Sequence, residues 1–176
     1  MSEDIEKRKS EATSYTTELE IKWHYYGCFV NDDDHKLKIE DVKESVDVKK
    51  SGIYKLMPED QSELYVGEGQ SVHERLSDYK NARYELQEKN EHTDRRIQGW
   101  MLRLINERKG HIEIRVCTEA YIRHRDGTKQ KLDLDEKHNR LLIENLEISI
   151  SAEKFRLQND RKNWEPRPAQ SQIRTE

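Results

Sequence analysis

Two tyrosines and an arginine stand at spacings that suit the hydrolysis of a phosphodiester. Tyr54 closes a Gly-Ile-Tyr triplet, Tyr65 opens a Tyr-Val-Gly triplet, and Arg75 follows on the C-terminal side. A tyrosine phenol can orient or deprotonate a water molecule, and the planar guanidinium of arginine matches two phosphate oxygens. If the three side chains meet on one surface, that surface is a candidate site for phosphodiester chemistry. The alternative is an ordinary hairpin with a surface arginine.

The elements that must position these residues are a β-hairpin and a helix. Residues 51–57 and 63–66 are short, apolar and β-prone, and the Pro-Glu-Asp-Gln segment between them is typical of a turn. After the Gly-Glu-Gly segment, Ser71 and Glu74 match a capping box, which predicts that a helix begins there. The pattern therefore brings two tyrosines from adjacent strands close to an arginine in the first turns of the following helix.

At these residues the chain resembles the GIY-YIG endonucleases, which have both triplets and the arginine in this order and at this separation. Many members of that family carry a histidine one turn after the arginine, where this chain has Tyr79. Tyrosine keeps a polar aromatic tip but does not titrate near neutrality as histidine does. Tyr79 is therefore either a site residue in place of that histidine or part of the core.

A glutamate on the last predicted helix stands out because of its neighbours. By helical periodicity Glu144 falls in line with Leu141 and Ile148, and a carboxylate in such surroundings is usually paired or bound to a metal. An ion pair with Arg140, four residues earlier, is the alternative. The resemblance implies that Glu144 binds the divalent ion of the nuclease, Mg²⁺ or Mn²⁺, because the family has a glutamate preceded by leucines on this helix.

The resemblance also implies the activity: a metal-dependent DNA endonuclease that leaves 5′-phosphate and 3′-hydroxyl ends. Its catalytic set would be Tyr54, Tyr65, Arg75, Tyr79 and Glu144. It further implies an asparagine beyond the last helix, for which Asn163 is preferred to Asn159.

The short chain favours a site-specific, restriction-type enzyme that acts alone on double-stranded DNA. Homing and repair nucleases of the same family are alternatives, as is a GIY-YIG-like domain that binds DNA or protein without cutting. Because each site residue occurs in a single copy, a homodimer on DNA is the simplest way to cut both strands.

The patterns along the chain predict an α+β fold with a small, three-stranded, mainly antiparallel sheet flanked by helices and an extra N-terminal hairpin. Alternating apolar residues predict a first strand over 17–30, with a turn at 31–34 and a return strand after it. A third core strand is expected at 111–117. We expect a helix to about residue 88, a second one capped by Gly110, and a last one from 133–135.

Four segments follow from these patterns. Residues 1–14 are expected to be disordered, 15–50 to form the N-terminal extension, 51–163 to form the nuclease-like domain, and 164–176 to form a loose tail.

Composition limits the partners. With 39% charged residues and a net charge of −4, the chain must concentrate its positive charge locally to bind a polyanion. One candidate is a hairpin predicted around the two-residue turn Asp126-Gly127, since a two-stranded ribbon fits a DNA groove. Its basic residues are Arg123, Arg125, Lys129 and Lys131.

Two further inferences come from what the sequence lacks. There is no apolar run of membrane-spanning length, so an intracellular location and no membrane partner are expected. The two cysteines, Cys28 and Cys117, are expected to be buried thiols, because they lie in apolar, strand-like surroundings.

Overall fold

The computed structural model describes residues 18–32, 36–81 and 92–159, and within these ranges the protein has the predicted α+β fold. The segments predicted at 1–14 and 164–176, and Asn163, lie outside the described residues. The described strands are β1 (Glu18–Ile21), β2 (His24–Asn31), β3 (Leu37–Glu40), β4 (Gly52–Pro58), β5 (Glu63–Gly69), β6 (Ile112–Cys117), β7 (Ala120–Arg123), β8 (Lys129–Lys131) and β9 (Arg156–Leu157). The described helices are α1 (Val72–Asn81), α2 (His92–Arg108) and α3 (Lys137–Ser151).

The predicted β4–β5 hairpin lies within a larger sheet than expected. The strand order is β3-β2-β6-β4-β5-β9, in which every pair is antiparallel except β5 with β9. The expected three strands are β6, β4 and β5. The sheet has six strands because the β2–β3 hairpin, predicted as a separate extension, pairs with the free edge of β6, and β9 pairs with the free edge of β5. A second, three-stranded antiparallel sheet has the order β1-β7-β8.

The first predicted strand is divided between these two sheets. β1 pairs with β7, whereas β2 pairs with β3 and β6, and Lys22 and Trp23 connect them. A bulge between Tyr25 and Gly27 adds a further irregularity. The prediction of one strand was wrong because apolar alternation continues across the break and does not mark where the chain changes sheets.

The two faces of the central sheet are covered by different elements. One core cluster packs even-numbered β4 side chains such as Tyr54 and Leu56 against α1 and α2. The other cluster packs odd-numbered β4 side chains such as Ile53 and Met57 against the small sheet and Ile143 of α3. Each residue of β4 and β5 therefore faces either α1 or α3, according to strand alternation.

Several predicted ends are confirmed and others shift. Ser71 caps α1, since its Oγ accepts a hydrogen bond from the Glu74 N–H at 3.2 Å. Lys109 (φ +50°), not Gly110, takes the left-handed conformation after α2. The Asp126-Gly127 turn is part of a five-residue loop over 124–128, closed by a hydrogen bond from the His124 N–H to Thr128 O.

Two further observations bear on the expectations from composition. Cys28 and Cys117 are buried, unpaired thiols, as predicted. Among the described residues, no helix is both long and apolar enough to cross a membrane.

Candidate active site

Strand register places the two tyrosines of the triplets on one face of the sheet. Tyr54 lies opposite Gly67, and Tyr65 lies opposite Leu56, so both phenol rings point towards α1. Their ring centroids are 6.3 Å apart. Both residues are buried, Tyr54 completely.

Helix α1 adds a third tyrosine to this pair. Tyr79 lies one turn after Arg75 and directs its hydroxyl between the other two, 2.7 Å from the Tyr54 hydroxyl and 3.3 Å from that of Tyr65. Because Tyr79 donates to Tyr65, its oxygen is left to accept from Tyr54. The hydrogen of Tyr65 is then the one that remains for another acceptor.

Gly67 makes room for this arrangement. A Cβ atom at position 67 would overlap both Cζ and Oη of Tyr54, so any side chain there would force the Tyr54 ring to move. The glycine of the second triplet is thus required by the tyrosine of the first. The spacing of the triplets in the sequence corresponds to a direct contact in the structure.

Tyr54 and Tyr79 are hydrogen-bonding groups and not bases at neutral pH. Burial, and then the neighbouring Tyr65, raise the pKa of Tyr54 well above its ordinary value. Burial, and then Tyr54 and Tyr65, do the same for the pKa of Tyr79. Of the two roles expected for Tyr54, orienting a water fits this environment and deprotonating it does not.

Arg75 is the cation of the site and lies at its rim. Its aliphatic stem passes over Gly69, where a Cβ would lie 2.8 Å from Arg75 Cγ. Its guanidinium lies 5.2 Å from the Tyr79 ring centroid, and Nη2 donates a long hydrogen bond of 3.5 Å to the Tyr79 hydroxyl. Two carboxylates, Asp78 and Asp94, also contact it.

The predicted metal ligand, Glu144, is a half-buried carboxylate on α3. Among the described residues it has no hydrogen-bond or ion-pair partner. The alternative bridge to Arg140 does not form, because Arg140 Nε instead donates to Glu68 at 2.6 Å and Nη1 donates to Leu134 O, also at 2.6 Å. Burial, and then the charge of Glu68, raise the pKa of Glu144 to about 6.

Helix α3 is rotated relative to the prediction from periodicity. Its buried residues are Arg140, Ile143, Glu147 and Ser151, whereas Leu141 is 37% exposed. Glu147 can occupy the buried face because Lys55 lies 2.5 Å from its carboxylate and the Trp23 indole donates to it at 3.1 Å. The expectation that Glu144 lies in line with buried Leu141 was wrong, since apolar periodicity cannot identify a charged residue that is buried with its partner.

The site residues fall into two groups on opposite faces of the sheet. Tyr54, Tyr65, Arg75 and Tyr79 lie on the α1 side, whereas Glu144 lies beside Glu68 on the α3 side. Both groups reach the C-terminal end of β5. There the Arg75 stem covers Gly69, and Glu68 is the residue immediately before it.

Most of the predicted DNA-binding residues are already paired with acids. Arg123 contacts Glu20 at 3.3 Å, Lys129 contacts the same carboxylate at 2.9 Å, and Lys131 contacts Glu119 at 2.6 Å. In the described part of the chain, Arg125 has no such partner. The β7–β8 hairpin therefore presents less free positive charge than its sequence suggests.

Asn159, the less favoured of the two candidate asparagines, is hydrogen-bonded to β5. Asn159 Oδ1 accepts from the Val66 N–H at 2.9 Å, and Nδ2 donates to Val66 O at 2.6 Å. Asn159 is thus bound to β5 directly beside Tyr65, whereas Asn163 is outside the described residues.

The sequence did not reveal the carboxylates that surround the predicted groups. Asp94, which no pattern in the sequence singled out, lies in the first turn of α2. Glu68, the middle residue of the Gly-Glu-Gly segment, is the last acidic residue of β5. Its position inside a Tyr-Val-Gly-Glu-Gly run was the available signal.

Among the described residues, no group of three or more histidine, cysteine or acidic side chains is arranged to hold a metal.

Comparisons with known proteins add no family to this description. The chain was compared with protein-family models, with curated proteins and with solved structures, and no match was found in any of the three.

Proposed function

We propose that the protein is a metal-dependent DNA endonuclease that hydrolyses phosphodiesters to 5′-phosphate and 3′-hydroxyl ends. The observation that carries the proposal is the hydrogen-bonded cluster of three tyrosines in contact with Arg75, at the end of β5. Glu144, which has no partner among the described residues, also lies at this end. The resemblance of the two triplets and Arg75 to the GIY-YIG endonucleases supports the same reaction. So does the strand order β6-β4-β5 with helices on both faces.

The environment of Glu144 fits a divalent cation. A half-buried carboxylate beside a second one is costly to ionise, and a cation would offset both the burial and the repulsion from Glu68. With few protein ligands, the ion would keep most of its waters, as Mg²⁺ does readily. When bound, Mg²⁺ or Mn²⁺ would polarise the scissile phosphate and stabilise the leaving 3′ oxygen.

The other residues act on the phosphate and the water. Arg75, at the rim and 31% exposed, is placed to neutralise charge on the phosphate oxygens. Tyr65 accepts from Tyr79 and retains a hydrogen for a water or phosphate oxygen, while Tyr54 and Tyr79 hold it in place. Tyr54 thereby acts on the water through the other two phenols.

Double-stranded DNA is the proposed substrate, and a site-specific restriction-type enzyme the proposed setting. One chain has one copy of the site, so one protomer nicks one strand and a two-fold pair on a palindromic sequence cuts both. Sedimentation with and without cognate DNA tests this pairing. A one-protomer complex that makes concerted double-strand cuts would refute it.

The activity is tested by incubating the protein with mixed DNA and Mg²⁺ and sequencing the ends. We expect Glu144→Ala to abolish cleavage while DNA binding in Ca²⁺ is nearly unchanged. Arg75→Lys should lose about two orders of magnitude in rate, because an ammonium cannot make bidentate phosphate contacts. Wild-type rates in the Glu144 variant would refute the metal assignment.

A second candidate function is a domain that binds DNA or protein without cutting. The observation in its favour is that Tyr54 and Tyr79 have no exposed surface and that the Arg75 charge is balanced by two carboxylates. This candidate would be supported if the protein binds DNA in Mg²⁺ or Mn²⁺ but produces no cleaved ends, and if Glu144→Ala leaves that binding unchanged.

A further inference from the structure

Asp94 makes the closest charged contact to Arg75, from a different helix. Asp94 Oδ2 accepts a hydrogen bond from Nη1 at 3.3 Å, and Oδ1 lies 2.9 Å from Nη2, at ion-pair distance. The carboxylate thus faces the two terminal nitrogens of the guanidinium. Because it comes from the first turn of α2, it fixes the position of Arg75 relative to an element outside α1.

The contact leaves one donor of the guanidinium for another ligand. Nη1 and Nη2 both face Asp94, and Nη2 also donates to the Tyr79 hydroxyl. Nε has no hydrogen-bond partner among the described residues. The N–H of Nε therefore remains for a phosphate oxygen.

Burial separates Asp94 from the other carboxylate on Arg75. The Asp94 side chain is 17% exposed, whereas Asp78 is 53% exposed and lies 3.4 Å from Nη1 on the same helix as Arg75. Exposed ion pairs within a helix contribute little, but a largely buried one is less screened. Asp94 is therefore the carboxylate that orients the guanidinium, and Asp78 is a matched control.

We propose that Asp94 is a positioning residue that holds Arg75 with its Nε N–H towards the scissile phosphate; this rests on the proposed nuclease function. Asp94 has a second, opposite effect on the substrate. Its negative charge lies beside the phosphate site, so it weakens DNA binding while it improves the geometry for catalysis. Removing it should therefore lower kcat and tighten binding at the same time.

The experiment compares Asp94→Asn, Asp94→Glu and Asp78→Asn in the full-length protein. For Asp94→Asn we expect kcat to fall by about ten- to a hundredfold, because a misplaced transition-state group has effects of this size. Its Kd for DNA in Ca²⁺ should stay equal or fall by up to about fivefold, as expected for the loss of one nearby charge. Asp78→Asn should change neither quantity by more than about twofold.

Asp94→Glu, which has the longer side chain, and a double variant distinguish a positioning role of Asp94 from a role in stabilising the fold. Asp94→Glu keeps the charge, and so the fold, but shifts the guanidinium, so we expect a lower kcat with unchanged Kd. In an Arg75→Ala background, Asp94→Asn should cause no further loss of kcat, since Asp94 acts through Arg75. This double variant removes both charges of the pair and leaves no unpaired buried carboxylate.

The outcomes distinguish this proposal from the function it rests on. If the wild type cleaves DNA but Asp94→Asn and Asp94→Glu cleave at its rate, the positioning role is refuted and the nuclease stands. A further loss of kcat in the Arg75→Ala background would likewise refute action through Arg75. If the wild type does not cleave DNA with Mg²⁺ or Mn²⁺, the nuclease function fails and the positioning role fails with it.

Discussion

At the scale of single residues, position 67 has space for a hydrogen atom and no more. The Tyr54 ring occupies the volume that a Cβ would take, at 2.4 Å. We expect Gly67→Ala to lower the free energy of unfolding by about 1–3 kcal/mol, the usual cost of overpacking a core. Urea unfolding measures this.

Gly110→Ala is the matched control for that substitution. A Cβ at position 110 would have no neighbour closer than 3.8 Å, and the glycine has no left-handed φ. Its free energy of unfolding should change by less than about 0.5 kcal/mol. Equal effects of the two substitutions would show that the contact with Tyr54 is not the cause.

The titration of Glu144 gives a second prediction at this scale. Burial and Glu68 raise its pKa from 4.5 to about 6, so the folded state holds this proton more tightly than the unfolded chain. That contribution to stability is present below the unfolded pKa and is lost as the pH rises through about 6. Because solvent screens this half-buried group, we expect Glu144→Gln to be more stable than the wild type by about 1 kcal/mol at about pH 8, but not at about pH 4.

Thermal unfolding at both pH values, in a chelator, checks this prediction. Added Mg²⁺ should stabilise the wild type and reduce the difference at the higher pH, because a cation favours the charged carboxylate. A difference between variant and wild type that does not change with pH would contradict the raised pKa.

The residues that sequence reasoning identified are those whose positions are set locally. Tyr54, Tyr65 and Arg75 come together because they lie on one short hairpin and on the helix that directly follows it. The positions of these two elements relative to each other are set by a short stretch of chain. Asp94 and Glu68 were missed because their partners depend on how α2 and α3 pack, which no local pattern specifies. The expectation that Leu141 is buried in line with Glu144 was wrong for the same reason.

At the scale of elements, predictions were right inside strands and helices and weaker where elements meet. The hairpin β4–β5, the strand β6 and the helix that begins after Ser71 all follow from alternation and capping. These patterns did not predict that the N-terminal stretch is divided between two sheets, or that the β2–β3 hairpin pairs with β6. Both depend on which free edge is available, a property of the assembled sheet.

Glu63 links three elements and provides a prediction at this scale. Its buried carboxylate accepts hydrogen bonds from the indole of Trp100 in α2 at 2.8 Å and from Gln158, after β9, at 2.7 Å. Arg108 contacts it at 3.2 Å. Glu63→Ala would leave buried donors without an acceptor, so we expect a loss of about 3 kcal/mol in the free energy of unfolding.

Denaturant unfolding of Glu63→Ala and Glu59→Ala makes the comparison. The Glu59 side chain is 74% exposed, so its removal should cost less than about 0.5 kcal/mol. Two equal, small losses would mean that the network around Glu63 does not hold β9 and α2 to β5.

At the scale of the whole molecule, the charges of the small sheet bear on the proposed interaction with DNA. Glu20 neutralises Arg123 and Lys129, and Arg125 has no partner in the described part of the chain. If the hairpin contacts DNA, Glu20→Gln should steepen the dependence of log K on log salt by about one, and Arg125→Ala should reduce it by about one. Binding titrations over a range of salt measure both slopes.

Glu59→Gln removes an exposed acid from another part of the surface and serves as the control for these titrations. Its slope should equal that of the wild type. Slopes that do not respond to Glu20→Gln or Arg125→Ala would place the DNA elsewhere on the molecule.

The position of β6 has a consequence for the order in which the chain folds. The β4–β5 hairpin can form as soon as residues 52–69 are available, because its contacts are local. By contrast, β2 pairs with β6 between residues 24–29 and 112–116, a closure that spans most of the described chain. During synthesis the β2–β3 hairpin therefore emerges before the β4–β5 hairpin but cannot dock until β6 has been made, and until then the apolar side chains of Tyr26 and Phe29 are without their core.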